Sequence, residues 1–174
     1  MTPGTAAAYR PPPAGVPGRA AGRIVLGVAG GTPPEVVDAA FGLAAERGAP
    51  LLAVRVWHDP ELPLGGWLTP ARTTRWDAAH CNARRGLDRA LAGARAAHPA
   101  VEVTTLVVDD EVVPLLAALS LRAQLLVLGR CRRLGHRDSP VDALVRHAVC
   151  PVLVVPPLRR PSRSPAAAPA AAGG

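Results

Sequence analysis

The sequence predicts an α/β fold, a single doubly wound domain in which helices cover both faces of a five-stranded parallel sheet. Apolar segments of strand length alternate along the chain with segments of helical periodicity. The apolar segments are continuous, which is typical of parallel strands that are buried on both faces. Residues 1–22 and 158–174 are rich in Pro, Gly and Ala and are predicted to be disordered, so residues 23–157 form the domain.

The first half of the domain contains two predicted strands and two predicted helices. Residues 23–28 (RIVLGV) form the first strand, and a helix over residues 33–47 begins at two prolines and ends before a glycine. Residues 51–57 (LLAVRVW) form the second strand. A long loop then leads to a helix over residues 73–98, which a proline ends.

The second half repeats this alternation with shorter helices. Residues 101–108 are rich in β-branched side chains and form the third strand, and the acidic residues 109–111 are expected to cap a short helix. Residues 123–129 form the fourth strand. Ser139 is expected to open the last helix as its N-cap, and residues 150–156 (CPVLVVP) contain the fifth strand.

The charge of the chain is concentrated in its flanks. All 20 basic residues are arginines and the formal net charge is +7, but five of the arginines lie in the two flanks. The remaining 15 face 13 acidic residues, so the domain carries a net charge of only +2. This distribution argues against a nucleic-acid-binding domain. Association of the Arg-rich tails with polyanions stays open as an alternative function.

Cysteine usage and hydropathy predict a cytoplasmic protein. Cys81, Cys131 and Cys150 are odd in number and have no CxxC spacing, which favours reduced thiols. No apolar run reaches the roughly 18 residues that a membrane span needs, and the N-terminus lacks the apolar core of a signal peptide. We therefore expect no membrane partner.

The order of the elements and the segments RIVLGV, LLAVRVW, LLVLGR and CPVLVVP resemble the universal stress protein family over residues 22–157. The resemblance implies the strand order 3-2-1-4-5 and, commonly, a homodimer whose last strands pair across the interface. The apolar edge strand of Val152, Leu153, Val154 and Val155 is what such pairing would cover.

A ligand crevice is expected where the strand order reverses, at the carboxyl ends of the first and fourth strands. Val28, Ala29 and Gly30 follow the first strand, and Gly129 ends the fourth. The resemblance implies a nucleotide site there, in which Gly129 matches the first glycine of G-x2-G-x9-G-[ST] and Val56 matches the apolar position beside an adenine.

The chain departs from that motif in ways that argue against ordinary ATP binding. Ala29 stands where family members usually carry an aspartate, and Arg132 replaces the second glycine. The final G-[ST] of the motif corresponds to Asp142-Ala143 if the loop is counted forward from Gly129, or to Asp138-Ser139 if it is counted back from Cys150. In either case a carboxylate there would repel a triphosphate.

An arginine-rich loop offers a replacement for the missing glycines. Its four guanidinium groups can donate paired hydrogen bonds to a phosphate, and the helix start at Ser139 also favours anions. These groups belong to Arg130, Arg132, Arg133 and Arg137. A modified anion site and a solvated basic turn both remain open interpretations.

No catalytic or metal-binding pattern is found. Cys131, His136, His147 and Cys150 lack the spacing of a zinc finger, so no metal site is predicted. The sequence therefore predicts a stress-response module that binds protein partners or an anionic small molecule and has no firm cofactor. The alternatives are an ATP-binding member, slow hydrolysis included, and the polyanion-associated protein.

Overall fold

The computed structural model describes residues 15–57, 70–130 and 139–157, without the side chains of residues 70–72. The strands are β1 (Ile24–Gly27), β2 (Leu51–Trp57), β3 (Val103–Asp109), β4 (Leu125–Gly129) and β5 (Val152–Val155). The helices are α1 (Pro34–Arg47), α2 (Pro70–Ala97), α3 (Val112–Ser120) and α4 (Pro140–His147). A 3-10 turn, Pro17–Ala20, precedes β1.

All strand pairs are parallel, and the sheet has the order β3-β2-β1-β4-β5, which confirms the predicted topology. β1 lies at the centre, where Ile24 is in register with Leu51 of β2 and Leu125 of β4. The strand order therefore reverses between β1 and β4, where a crevice opens at their carboxyl ends.

Two apolar cores lie on opposite faces of the sheet. On one face α1 and α2 pack through Phe41 and Leu87, both fully buried, against alternate strand residues. On the other face α3 and α4 pack through Leu119 and Leu144. Because successive strand residues point to opposite faces, each buried strand supplies both cores, and this accounts for the continuous apolar runs in the sequence.

The segment just before β1 corrects one expectation. Val16 and Ala20 are buried against the α3–α4 core, and Ala20 has no exposed surface. The Gly22 N–H donates to the Arg122 carbonyl at 3.2 Å, and the Gln124 side-chain amide donates to the Gly22 carbonyl at 2.7 Å. The expectation of a disordered flank is therefore wrong for residues 15–22, because two small apolar side chains four residues apart suffice to pack one turn of chain. The rest of both flanks lies outside the described residues.

The helix starts also differ in part from expectation. Ser139 caps α4, since its hydroxyl accepts the Val141 N–H at 3.3 Å. By contrast, Asp109 ends β3 and accepts a hydrogen bond from the Trp76 indole N–H at 3.0 Å. Glu111 is the N-cap residue of α3 without a side-chain capping bond.

In the described part of the chain, no helix combines the length and the apolar character that crossing a membrane requires.

Candidate functional site

A pocket of about 180 Å³ lies at the carboxyl ends of β1 and β4, on the face that α3 and α4 cover. Its walls are apolar side chains from β2, β4, α3 and α4 and from the residue that follows β1. These are Val28, Val54, Val56, Val112, Leu116, Leu128, Val141 and Leu144. The rim is formed by the backbone and small side chains of the loops after β1 and before α4, including Thr32 and Ser139. The pocket thus offers apolar contact inside and polar groups only at its mouth.

The predicted site residues divide into three groups. Val28, Ala29, Val56, Gly129 and Ser139 line this one pocket, although they are up to 111 positions apart. Gly30 is exposed in the β1–α1 loop next to the rim, and Arg130 follows Gly129 without lining the pocket. Arg132, Arg133 and Arg137 lie outside the described residues.

The loop after β1 is closed by its own hydrogen bonds. The Ala29 N–H donates to the Thr32 hydroxyl at 2.7 Å, and the Thr32 N–H donates to the Ala29 carbonyl at 3.2 Å. Gly31 has a φ of 88°, which a residue with a side chain rarely adopts. Thr32 therefore shapes the rim beside Ala29, the position at which the family resemblance implied an aspartate. Thr32 was not among the predicted site residues.

Gly129 is needed for packing at the end of β4. A Cβ atom at this position would lie 2.8 Å from a methyl group of Val36, which belongs to the first turn of α1 and is fully buried. Gly27 is similarly confined, because its Cβ would lie 2.7 Å from a methyl group of Leu128. Both glycines let helices and neighbouring side chains approach the strand ends closely, so a glycine at 129 is explained without a phosphate.

Arg130 is engaged by an acidic residue of α4. Its guanidinium Nη2 lies 2.6 Å from Oδ1 of Asp142, in the first turn of that helix. The Arg130 backbone N–H donates to the Val155 carbonyl at 3.1 Å, which continues the pairing of β4 with β5. Of the four arginines expected to form an anion site, the one that the structure describes is thus bound within the protein.

An aromatic cluster on the opposite face of the sheet was not predicted. Trp76 and His80, four residues apart on α2, stack with ring centroids 5.1 Å apart, and Trp57 lies 5.8 Å from Trp76. Trp76 also donates to Asp109. The spacing of Trp76 and His80 on one helix was a usable signal, but the sequence could not show which strand end they would meet. The cluster joins α2 to the ends of β2 and β3.

The fold agrees with that of known proteins. A model of the universal stress protein family matches residues 21–156. The chain belongs to the universal stress protein family. Universal stress proteins of Mycobacterium bovis and Mycobacterium tuberculosis are each 31% identical to it over 139 residues, which is 75% of this chain and 43% of each relative. The chain thus spans less than half the length of these relatives.

Solved structures of the family have the same fold. A universal stress protein from Burkholderia pseudomallei is 30% identical, with a TM-score of 0.55 and coverage of 78% of this chain and 97% of that one. A universal stress protein solved in complex with cAMP is 23% identical, with a TM-score of 0.52 and coverage of 78% and 97%. At that identity the second comparison supports the fold alone.

The predicted dimer edge of this universal stress protein is β5, one of the two outer strands of the sheet. Within the described residues, β5 pairs with β4 alone. Val152 and Val154 pack partly against the α3–α4 core, and Val155 packs partly against the other core. Leu153 is 36% exposed, a large fraction for a leucine in a strand of an apolar sheet. The edge therefore presents both free backbone groups and apolar surface.

The two described thiols differ in environment. Cys81 is exposed on α2, whereas Cys150 is half-buried just before β5. Burial raises the pKa of the Cys150 thiol, and hydrogen bonds with the backbone oppose the shift only in part. No group of three or more metal-ligating side chains occurs among the described residues, while Cys131 and His136 lie outside them.

We expect iodoacetamide to label Cys150 more slowly than Cys81 near pH 8, because the thiolate is the reactive form. Since the folded-state pKa of Cys150 is raised, the thiol loses its proton at a lower pH in the unfolded chain than in the folded protein. The free energy of unfolding therefore decreases as the pH rises above the usual thiol pKa of about 8.5. Mass spectrometry of peptides after timed labelling measures the labelling rates of Cys81 and Cys150. Denatured protein, in which the two rates should converge, is the control, and equal rates in the folded protein would contradict the prediction.

Proposed function

We propose that this family member acts by binding and not by catalysis, and that its pocket holds a small ring system such as a nucleobase. The observation that carries the proposal is the apolar pocket at the point where the strand order reverses. Ligands of open α/β sheets bind at such points, and flat, weakly polar rings are the groups that gain most from apolar walls of this kind.

The size of the pocket supports a ring over a whole nucleotide. Its volume of about 180 Å³ is below the roughly 300 Å³ at which pockets for larger ligands begin. In this proposal a purine contacts the apolar lining that includes Val56 and Leu116, and a sugar or phosphate lies at the rim beside Ser139. The described residues therefore fit the base of ATP. They do not fit its triphosphate, because the guanidinium of Arg130, beside the pocket, is already paired with Asp142.

The composition of the lining supports binding over turnover. None of the described residues that line the pocket has a carboxylate, an imidazole, an amine or a thiol. General acid–base catalysis needs such a group within hydrogen-bonding reach of the substrate, and the hydroxyls of Thr32 and Ser139 would need a neighbouring base to act as nucleophiles. A role in the stress response, in the cytoplasm, is the setting that we propose for this binding activity.

Calorimetric titration with adenosine, AMP and ATP with Mg²⁺ tests the proposal, after any co-purified ligand has been removed. Adenosine is the central probe because it presents the base without charge. We expect adenosine to bind and Val112→Trp to weaken its affinity at least about 10-fold, since the side chain of Val112 is 39% exposed at the pocket and an indole would fill the opening.

Val145→Trp is the matched control for that substitution. Val145 is 54% exposed on α4 and does not line the pocket, so the same enlargement there should leave the adenosine affinity unchanged. The proposal fails if no adenosine binding is detected at millimolar concentration, or if Val112→Trp and Val145→Trp have the same effect.

We further propose a homodimer that forms through β5. The exposed Leu153 in an edge strand of apolar composition supports this proposal, because edge strands of this kind tend to pair with another chain unless something blocks them. Two copies related by a two-fold axis would bring the β5 strands together as an antiparallel pair and would cover Leu153 of each chain.

A further inference from the structure

Two charged side chains stand beside the mouth of the pocket. Arg130 directly follows Gly129, and Asp142 directly follows Val141, and both of these neighbours line the pocket. The Arg130 and Asp142 side chains are 56% and 37% exposed and form the 2.6 Å ion pair described above. The pair is thus open to solvent, so a ligand entering the pocket can reach it.

The Arg130 side chain lies on the same face of the sheet as the pocket. Leu126 and Leu128 of β4 pack into the α3–α4 core, and the hydrogen bond from the Arg130 N–H to Val155 continues the strand by one residue. Because side chains alternate between the faces of a strand, Arg130 follows Leu126 and Leu128 to the α4 side. Its contact with Asp142 agrees with that direction.

Asp142 interacts with the two groups at this rim that would otherwise attract a phosphate, which are the N-terminal end of α4 and the guanidinium of Arg130. It is the third residue of α4, and its carboxylate therefore lies near the positive end of the helix dipole. It also accepts a hydrogen bond from the Arg130 guanidinium, a group suited to phosphate oxygens. The Ser139 hydroxyl accepts the Val141 N–H, so one of the free N–H groups at the start of this helix is also engaged.

We infer that Asp142 is a specificity-determining residue, an internal anion that makes the pocket prefer an uncharged nucleoside over its phosphorylated form. The inference rests on the proposed binding function. A phosphate attached to a base in the pocket would have to displace Asp142 from Arg130 and would then lie near its negative charge. An uncharged ligand meets neither cost. The ion pair is exposed and individually weak, so its effect on selectivity comes from competition and charge repulsion.

The test compares the affinities of adenosine and AMP for the wild type and three variants by calorimetry at low ionic strength. Asp142→Asn keeps the size of the side chain and removes its charge, so that Arg130 is free to bind a phosphate. We expect the ratio of AMP affinity to adenosine affinity to rise about 10-fold in this variant, the effect of one hydrogen bond to a charged group. Arg130→Gln should change the ratio in the opposite direction, because it leaves the carboxylate without its counter-ion.

Asp88→Asn is the matched control, since Asp88 pairs with Arg95 on α2 and lies outside the pocket lining. It should leave the ratio unchanged, and thermal melts should show that all variants fold. An unchanged ratio in Asp142→Asn, or a wild-type protein that prefers AMP to adenosine, would overturn the inference while leaving the pocket as a nucleoside site. Failure of every protein to bind adenosine would overturn the proposed function, and the inference with it.

Discussion

Replacing Leu153 with glutamate is expected to raise the dissociation constant of the proposed homodimer by at least about 100-fold. In an antiparallel pair of β5 strands the substitution occurs in both chains. Covering the exposed 36% of Leu153 is worth only roughly 0.5–1 kcal/mol per chain, but an unpaired carboxylate placed in the interface costs more, so the two substitutions together amount to about 3 kcal/mol or more. Both introduced carboxylates would also lie on the paired strands, where like charges close to each other are unfavourable.

Sedimentation velocity over a concentration series measures this change. Leu121→Glu is the control, because Leu121 is 62% exposed just after α3 and the substitution introduces the same charge outside the strand proposed to pair. A wild-type chain that is monomeric at all concentrations would refute the dimer. A dimer that survives Leu153→Glu would show that the chains associate through a different surface.

Gly129→Ala is expected to lower the free energy of unfolding by about 1–3 kcal/mol, the usual cost of extra volume in a packed core. The reason is the 2.8 Å approach between the new Cβ and the methyl group of Val36. The cost should be smaller in a Val36→Ala background, where that methyl group is absent. Urea unfolding of the wild type, both single variants and the double variant gives the coupling energy of this cycle.

Gly93→Ala supplies the control for this cycle. Gly93 is exposed in α2, and a Cβ there meets nothing within 4 Å, so alanine should stabilise the helix by about 0.5–1 kcal/mol. If Gly129→Ala leaves stability unchanged, the glycine is not required for packing. Its presence would then have to be explained by the ligand, as the family motif first implied.

The candidate site could be predicted in position but not in chemistry. The parallel sheet and the reversal of strand order fix where the crevice opens, and Val28, Val56 and Gly129 do line the pocket there, while their part in binding stays a prediction. The contribution of Val112 and Leu116 could not be derived, because it depends on the angle at which α3 crosses the sheet. Arg130 was expected to be available to an anion, and only the structure shows that its guanidinium is paired with Asp142, 12 positions later in the chain.

The sequence by itself determined the order of the elements, the parallel sheet, the two-sided core and the N-cap at Ser139, because periodicity and capping are local properties of the chain. Only the tertiary structure decided that Val16 and Ala20 join the core, that Gly129 serves the contact with Val36 and that Asp142 engages Arg130. Each of these depends on distances between elements that are far apart in sequence. Such distances are set by the packing of whole side chains and leave no periodic trace in the sequence.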